Sequence, residues 1–207
     1  MSNKIKVLIA DDHAIVRMGL SALLSAKKDI EVVGQSRNGE AAVRDAVRLA
    51  PDVVIMDLMM PKKDGIAATA EIKSRRPETK IIILTTFATS DGITKALEAG
   101  AAGAILKNAE NASLVTMIRK VAAGERVLAP EVEELLQEDP PVEKLTPRQA
   151  EVLESLSRGL TNKDIAKQLG ISDRSVDEHV EALLSKIGAS NRTEAVVIAL
   201  RKHLLKI

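Results

Sequence analysis

Three carboxylates, a hydroxyl and an ammonium recur at one kind of place in this chain, the end of a short aliphatic run. Asp11 and Asp12 follow KVLIA, Asp57 follows DVVIM, Thr85 closes KIIILT and Lys107 closes GAILK. Clustered carboxylates repel one another unless a cation joins them. An all-oxygen set with few protein ligands suits Mg2+, which keeps several of its waters. A hydroxyl donor and a positive charge beside such an ion can hold a phosphoryl group. An Asp at a strand end, taken alone, reads as a cap for the next helix; the five residues together fall in the order that a single pocket requires. His13 follows the acid pair and is read as the half-exposed start of a helix rather than as a ligand.

The elements that must carry these residues are legible from hydrophobic period. Strands are expected at 6–10, 31–35, 52–56, 80–85 and 103–107, with helical i, i+3, i+4 spacing between them, as in Val16, Leu20, Leu23 and Leu24. Strands alternating with helices imply an α/β fold, here a five-stranded, doubly wound parallel sheet covered by helices on both faces. Ligands of such sheets bind at the carboxyl ends of the strands, where the strand order reverses. This domain is expected over 1–125. The acidic stretch EVEELLQEDPPVEK then suggests a linker over 126–144, with a short helix ending at Pro140-Pro141.

From 145 to 207 the pattern is all helical. Thr146-Pro147 with Gln149 opens one helix, and Gly159 ends it. A second runs from Thr161 to Leu169 and closes at Gly170, Ser172 caps a third, and a fourth starts near Asn191 or Arg192. Four short helices, the middle two joined by a tight Gly turn, read as a helix-turn-helix unit.

Composition narrows the function. The 207 residues are 45% hydrophobic and 29% charged, with no cysteine, which excludes disulfides and thiolate metal sites. No signal-peptide pattern opens the chain and no apolar run approaches the ~20 residues needed to span a bilayer, so no membrane association and a cytoplasmic location are expected. One aromatic residue, Phe87, leaves base stacking essentially without a platform. The net charge of +1 divides as +3 over 1–125, −4 over 126–144 and +2 over 145–207, a weak basic excess for a nucleic-acid-binding domain.

IADDH, VIMDLMMPKKDG, ILTT and AILK together resemble the receiver domain of two-component response regulators over about residues 4–124. KLTPRQAEVLESLSRGLTNKDIAKQLGISDRSVDEHV and the following LLSKIGASNRTEAV resemble the LuxR-type helix-turn-helix, so the whole chain resembles the NarL/FixJ family. The resemblance implies a regulator, not an enzyme. Asp57 would accept a phosphoryl group from the phosphohistidine of a cognate histidine kinase. Asp12, Asp57 and the backbone carbonyl of Met59 would hold Mg2+, with Asp11 acting through a water. Thr85 would bond a phosphoryl oxygen and Lys107 would pair with its charge. The receiver's usual large switch residue, three before the lysine, is here Ala104, so switching would have to act through Thr85, the neighbouring loop and the face with Phe87. A homodimer on double-stranded DNA, paired through the last helix around Ala195, Val196, Ala199 and Leu200, is also implied.

One stretch resists that reading. In SVDEHVEALLSKI, Val176, Val180, Leu183, Leu184 and Ile187 form a helical apolar stripe, and the opposite face carries Arg174, Asp177, Glu178, Glu181 and Ser185. Residues 172–187 have a net charge of −2. A carboxylate ~5 Å from a phosphate costs about 0.8 kcal/mol in bulk water and several-fold more at the lower effective dielectric of an interface, although an acid can also accept a hydrogen bond from cytosine N4. The expected DNA-facing set is therefore mixed: Lys163, Arg174, Ser175, Asp177, Glu178, Glu181, Lys186 and Arg192, with Arg148 and Lys167 as further backbone-docking cations. The alternative is a degenerate acidic recognition helix that contacts a protein partner instead of DNA.

Overall fold

The register of one parallel sheet explains why the five pocket residues meet. The computed structural model describes residues 4–86, 89–139, 145–202 and 204–205. Strands β1 (Ile5–Ala10), β2 (Ile30–Ser36), β3 (Val53–Met56), β4 (Lys80–Thr85), β5 (Gly103–Leu106) and β6 (Val127–Leu128) lie in the order β2-β1-β3-β4-β5-β6. Every pairing is parallel. Helices α1 (Ala14–Ser25), α2 (Gly39–Leu49), α3 (Gly65–Arg75), α4 (Ser90–Glu98) and α5 (Asn111–Ala122) connect the strands. Order reverses between β1 and β3, which opens a crevice at their carboxyl ends. Ala10 pairs with Met56, Met56 with Ile83 and Thr85 with Leu106. The residues that follow, Asp11, Asp57 and Lys107, therefore leave the sheet at one end, beside Thr85.

The strands of the centre are aliphatic on both faces, as a doubly covered parallel sheet requires. All four residues of β3 are buried, and Val7, Leu8, Ile9, Ile81, Ile82, Ile83 and Ile105 join them in one core with Leu24, Ile72, Ile93 and Ile118 from the helices.

Two expectations need correction. The sheet has six strands, not five, because Val127 and Leu128 pair with Gly103 and Ala104. The segment expected as linker also contributes to the first unit, which extends to Asp139. Pro130–Glu138 forms α6, whose Val132 is fully buried in the core while Leu135 and Leu136 pack partly against it. Its acids Glu133, Glu134 and Glu138 lie on the exposed face. A two-residue strand is too short to show a period, and the charge of α6 masks its apolar edge. Pro140-Pro141 falls outside the described residues, as does Phe87.

The second unit is helical throughout: α7 (Pro147–Ser157), α8 (Asn162–Leu169), α9 (Asp173–Ile187) and α10 (Arg192–Arg201). Capping boxes Thr146/Gln149 and Thr161/Asp164 open the first two, and Ser172 and Asn191 cap the others. Gly170 ends α8 in the left-handed region, at φ 65°, where a Cβ is disfavoured. Val152, Leu153, Leu156, Ile165, Val176, Val180, Leu183, Ile187 and Ala199 make the core. Among the described residues, no helix is long and apolar enough to cross a membrane.

Gly65 gives a direct test of how tightly the pocket loop is wound. A Cβ there would sit 2.1 Å from the carbonyl oxygen of Asp57, and the Gly65 N–H donates to the Leu58 carbonyl at 2.9 Å. Gly65→Ala is expected to cost about 1–3 kcal/mol in urea unfolding and to slow any chemistry at Asp57. Unchanged stability would show that the loop relaxes freely.

Candidate functional site

Lys107 is the hub of the pocket. Its Nζ lies 2.8 Å from Asp57 Oδ2, to which it donates a hydrogen bond, and 2.6 Å from Asp11 Oδ2. The second contact is an ion pair without hydrogen-bond alignment, because Asp11 Oδ2 receives no aligned donor. Both acids are almost fully buried. Strand-end backbone bonds fix all three side chains: Asp11 N–H to the Ser36 carbonyl at 3.1 Å, Asp57 N–H to the Ala10 carbonyl at 2.8 Å and Lys107 N–H to the Thr85 carbonyl at 2.9 Å. Asp12 is more open, and His13 Nδ1 meets its Oδ1 at 2.7 Å. Asp11, Asp12, His13 and Asp57 each present a ligand atom, all within 4.8 Å of one another.

The electrostatics follow from burial. Desolvation pushes the Asp57 carboxyl above the usual carboxylate range; the hydrogen bond and charge of Lys107 pull it back only in part, and the Asp11 carboxylate adds to the rise. Desolvation also works against the Lys107 ammonium, but its pairing with Asp11 and Asp57 outweighs that and raises its pKa. Two acids facing one buried ammonium leave the site short of positive charge. Thr85 Oγ1 is buried and has no hydrogen-bond partner among the described residues. A buried hydroxyl left unbonded costs about 1–3 kcal/mol, so an incoming oxygen that accepts from it would recover that cost.

The Met59 backbone N–H acts to lower the Asp57 pKa, a smaller effect than burial, and the Met59 side chain is half exposed. Ala104 is buried in β5, paired with Ile83 on one side and Leu128 on the other. An alanine at this position has no ring to swing.

The second candidate surface is α9. Val176, Val180, Leu183 and Ile187 are buried, Leu184 partly so, and Arg174, Asp177, Glu178, Glu181 and Ser185 are exposed, as expected. Two of the three acids are already engaged. The Asn162 amide donates to Asp177 Oδ1, Arg192 Nη2 donates to Asn162 Oδ1 at 3.2 Å, and Arg174 Nε donates to Glu178 Oε1 at 3.2 Å. Glu181 has no partner among the described residues. Ser175 Oγ faces Ser172 Oγ at 2.9 Å, and Lys186 is half-buried near the helix end.

The cations are less available than the sequence suggests. Arg148 spans Glu151 and the Leu169 carbonyl, both at 2.8 Å, and so staples α7 to the end of α8. Arg192 is committed to Asn162, whereas Lys163 and Lys167 are exposed. Asn162 was not in the expected set: nothing in a spacing of 15 residues signals that it meets Asp177.

Comparison with known proteins agrees with this division. The family described as response regulator receiver domain matches residues 7–119, and that described as bacterial regulatory proteins, luxR family, matches residues 143–199. The chain is 41% identical over 209 residues to the transcriptional regulatory protein LiaR of Bacillus subtilis, covering 97% of this chain and 99% of that protein. It is 38% identical over 207 residues to the response regulator protein VraR of Staphylococcus aureus, covering 98% and 99%. Among solved structures it is similar to RcsB from Salmonella enterica serovar Typhimurium bound to a promoter in the presence of the phosphomimetic BeF3−, with TM-score 0.76, 27% identity, and 97% and 100% of the two chains covered.

Proposed function

The chain belongs to the two-component response regulators that join a receiver to a LuxR-type DNA-binding domain, and on that footing we propose that phosphorylation of Asp57 by a cognate histidine kinase controls dimerisation and promoter binding. The observation that carries this is the pocket itself. Lys107 holds both Asp57 and Asp11 within 2.8 Å, and Thr85 Oγ1, at the end of the neighbouring strand, is buried without a partner among the described residues. In the transfer, an Asp57 oxygen attacks phosphorus, the P–N bond of the phosphohistidine breaks, and the imidazole keeps the electron pair. Lys107 neutralises the charge that arrives, and Thr85 donates to a phosphoryl oxygen.

The donor set fits a divalent cation, because its charge would offset the burial that pushes Asp57 up and the smaller repulsion from Asp11. Asp12, Asp57 and the Met59 carbonyl would hold Mg2+, with Asp11 reaching it through a water. The ion supplies charge neutralisation and an orientation for the carboxylate. Asp12→Ala is expected to weaken Mg2+ binding about tenfold or more, because removing one of few protein ligands leaves mostly waters. Calorimetric titration reads this directly, and an unaltered affinity would remove Asp12 from the set.

Lys163, Arg174, Ser175, Asp177, Glu178, Glu181, Lys186 and Arg192 form the proposed DNA-facing set. Ala195 and Ala199, expected on the pairing face of α10, are instead fully buried, so the proposed pairing face is narrowed to the exposed Val197 and Leu200. The promoter-bound relative was solved with a phosphomimetic, which favours binding by the phosphorylated form. Gel shifts on a candidate promoter with and without beryllofluoride test the coupling. Tighter binding with the mimic is expected, and equal binding would break the link between the two domains. The acid-rich face of α9 also favours a second reading, in which that helix contacts a basic protein surface instead of DNA.

A further inference from the structure

The first turn of α4 lies between the pocket and the end of the first unit. Thr85 closes β4 and Ser90 opens α4, so one short connection joins the pocket hydroxyl to that helix. A second route runs through Leu58, which follows Asp57 and is buried: a Cβ added to Gly92 would lie 3.6 Å from Leu58 Cδ1. The same turn meets α6. Ser90 is fully buried, and its Oγ donates to Asp139 Oδ2 at 3.2 Å. Asp139 is the C-cap of α6 and the last residue of the first unit. We propose that this bond is a latch: phosphorylation at Asp57 shifts the first turn of α4, opens the Ser90–Asp139 bond and lets the last turn of α6 unwind. The inference rests on the phosphorylation reading above and adds to it the element that responds.

Both turns that the latch joins are weak by themselves. The last turn of α6 holds no basic residue, and Glu138 and Asp139 place negative charge at the negative end of its dipole. Across the latch the sign reverses, because Asp139 meets the N-terminal, positive end of α4. That end begins with Ser90, Asp91 and Gly92, poor helix formers, and Thr89 Oγ1 holds it by accepting the Gly92 N–H at 3.1 Å. A turn of this composition moves at little cost. Thr85 Oγ1 is buried without a partner among the described residues. A phosphoryl oxygen on Asp57 gives it one, and draws the end of β4 and the chain leading to Ser90 toward the pocket. From 3.2 Å, a displacement of about 0.5 Å takes the latch beyond hydrogen-bond distance. None of these steps needs a large side chain in place of Ala104.

Hydrogen exchange on the full chain reads the last turn of α6 directly. Beryllofluoride with Mg2+ is expected to speed exchange over 135–139 about tenfold, the scale of one hydrogen bond to a charged group. Ser90→Ala, which removes the donor, should speed it as much without the mimic, and the mimic should then add little. Asp139→Ala breaks the latch from its half-buried side and should do the same, with β3 exchanging at the wild-type rate in both variants. An unchanged α6 in the two variants overturns the latch. A rise that extends to β3 also overturns it, because Ser90 would then stabilise the whole unit. If the mimic leaves α6 of the wild type unchanged while intact-mass measurement shows one phosphoryl group on Asp57, the latch fails and the phosphorylation reading stands. If Asp57 takes up no phosphoryl group from a small phosphodonor, the phosphorylation reading fails and the latch loses its trigger with it.

Discussion

Asp57→Asn is expected to abolish phosphorylation while leaving the receiver folded and no less stable. With a small phosphodonor and Mg2+, the wild type should gain one phosphoryl group by intact-mass measurement and the variant none, because a neutral amide does not attack phosphorus. The stability arm follows from the pKa shifts. Burial raises the Asp57 carboxyl in the fold, so the folded state binds that proton more tightly than the unfolded chain. The associated stability is present at low pH and lost as pH rises through the folded value. At neutral pH the ionised, metal-free carboxylate is thus a cost that Asn removes. Lys107 keeps its ion pair with Asp11 at 2.6 Å. The melting temperature without metal should stay level or rise. Equal labelling of the variant would reject Asp57 as the acceptor, and a marked drop in melting temperature would reject the account of the buried charges.

What the sequence made legible is what depends on local pattern. Aliphatic runs of three or four residues located β1, β3, β4 and β5, and their closing residues identified the pocket, because a parallel sheet delivers strand ends to one edge whatever the loops do. Caps such as Thr146 with Gln149 located the helix starts for the same reason. Elements whose existence depends on partners far along the chain were hidden. Val127 and Leu128 become a strand only because Gly103 and Ala104 offer an edge, and α6 joins the core through the single buried residue Val132. Side-chain direction was equally hidden. Spacing placed His13 at a helix start but could not turn its ring toward Asp12, and it placed Asp177 on an exposed face without showing that Asn162 and Arg192 approach it.

That last network sharpens what should follow from recharging α9. Replacing Asp177, Glu178 and Glu181 with Lys, Thr and Lys is expected to raise non-specific DNA affinity by roughly 10- to 100-fold at about 0.1 M salt, and to steepen the salt dependence by about 2. Two new cations account for the slope, since each neutralised phosphate releases about one counterion. Removal of repulsion adds to affinity without adding to slope. The structure adds a third contribution: Asp177 holds Asn162, which holds Arg192, and Arg174 is held by Glu178. The substitutions therefore remove the partner of Arg174 and the carboxylate that anchors Asn162, and a slope change of 3 or 4 would report that Arg174, or Arg174 and Arg192, have joined the phosphate contacts. Fluorescence anisotropy on random duplex DNA across a salt series separates these cases. The single change Glu181→Lys distinguishes repulsion from readout, because Glu181 is the one acid of the face without a partner among the described residues. If it merely repels, Glu181→Lys tightens binding on every sequence. If wild-type binding is tight and sequence-specific and Glu181→Lys destroys it, the carboxylate is a reader, accepting from cytosine N4, and the repulsion account of this helix is wrong.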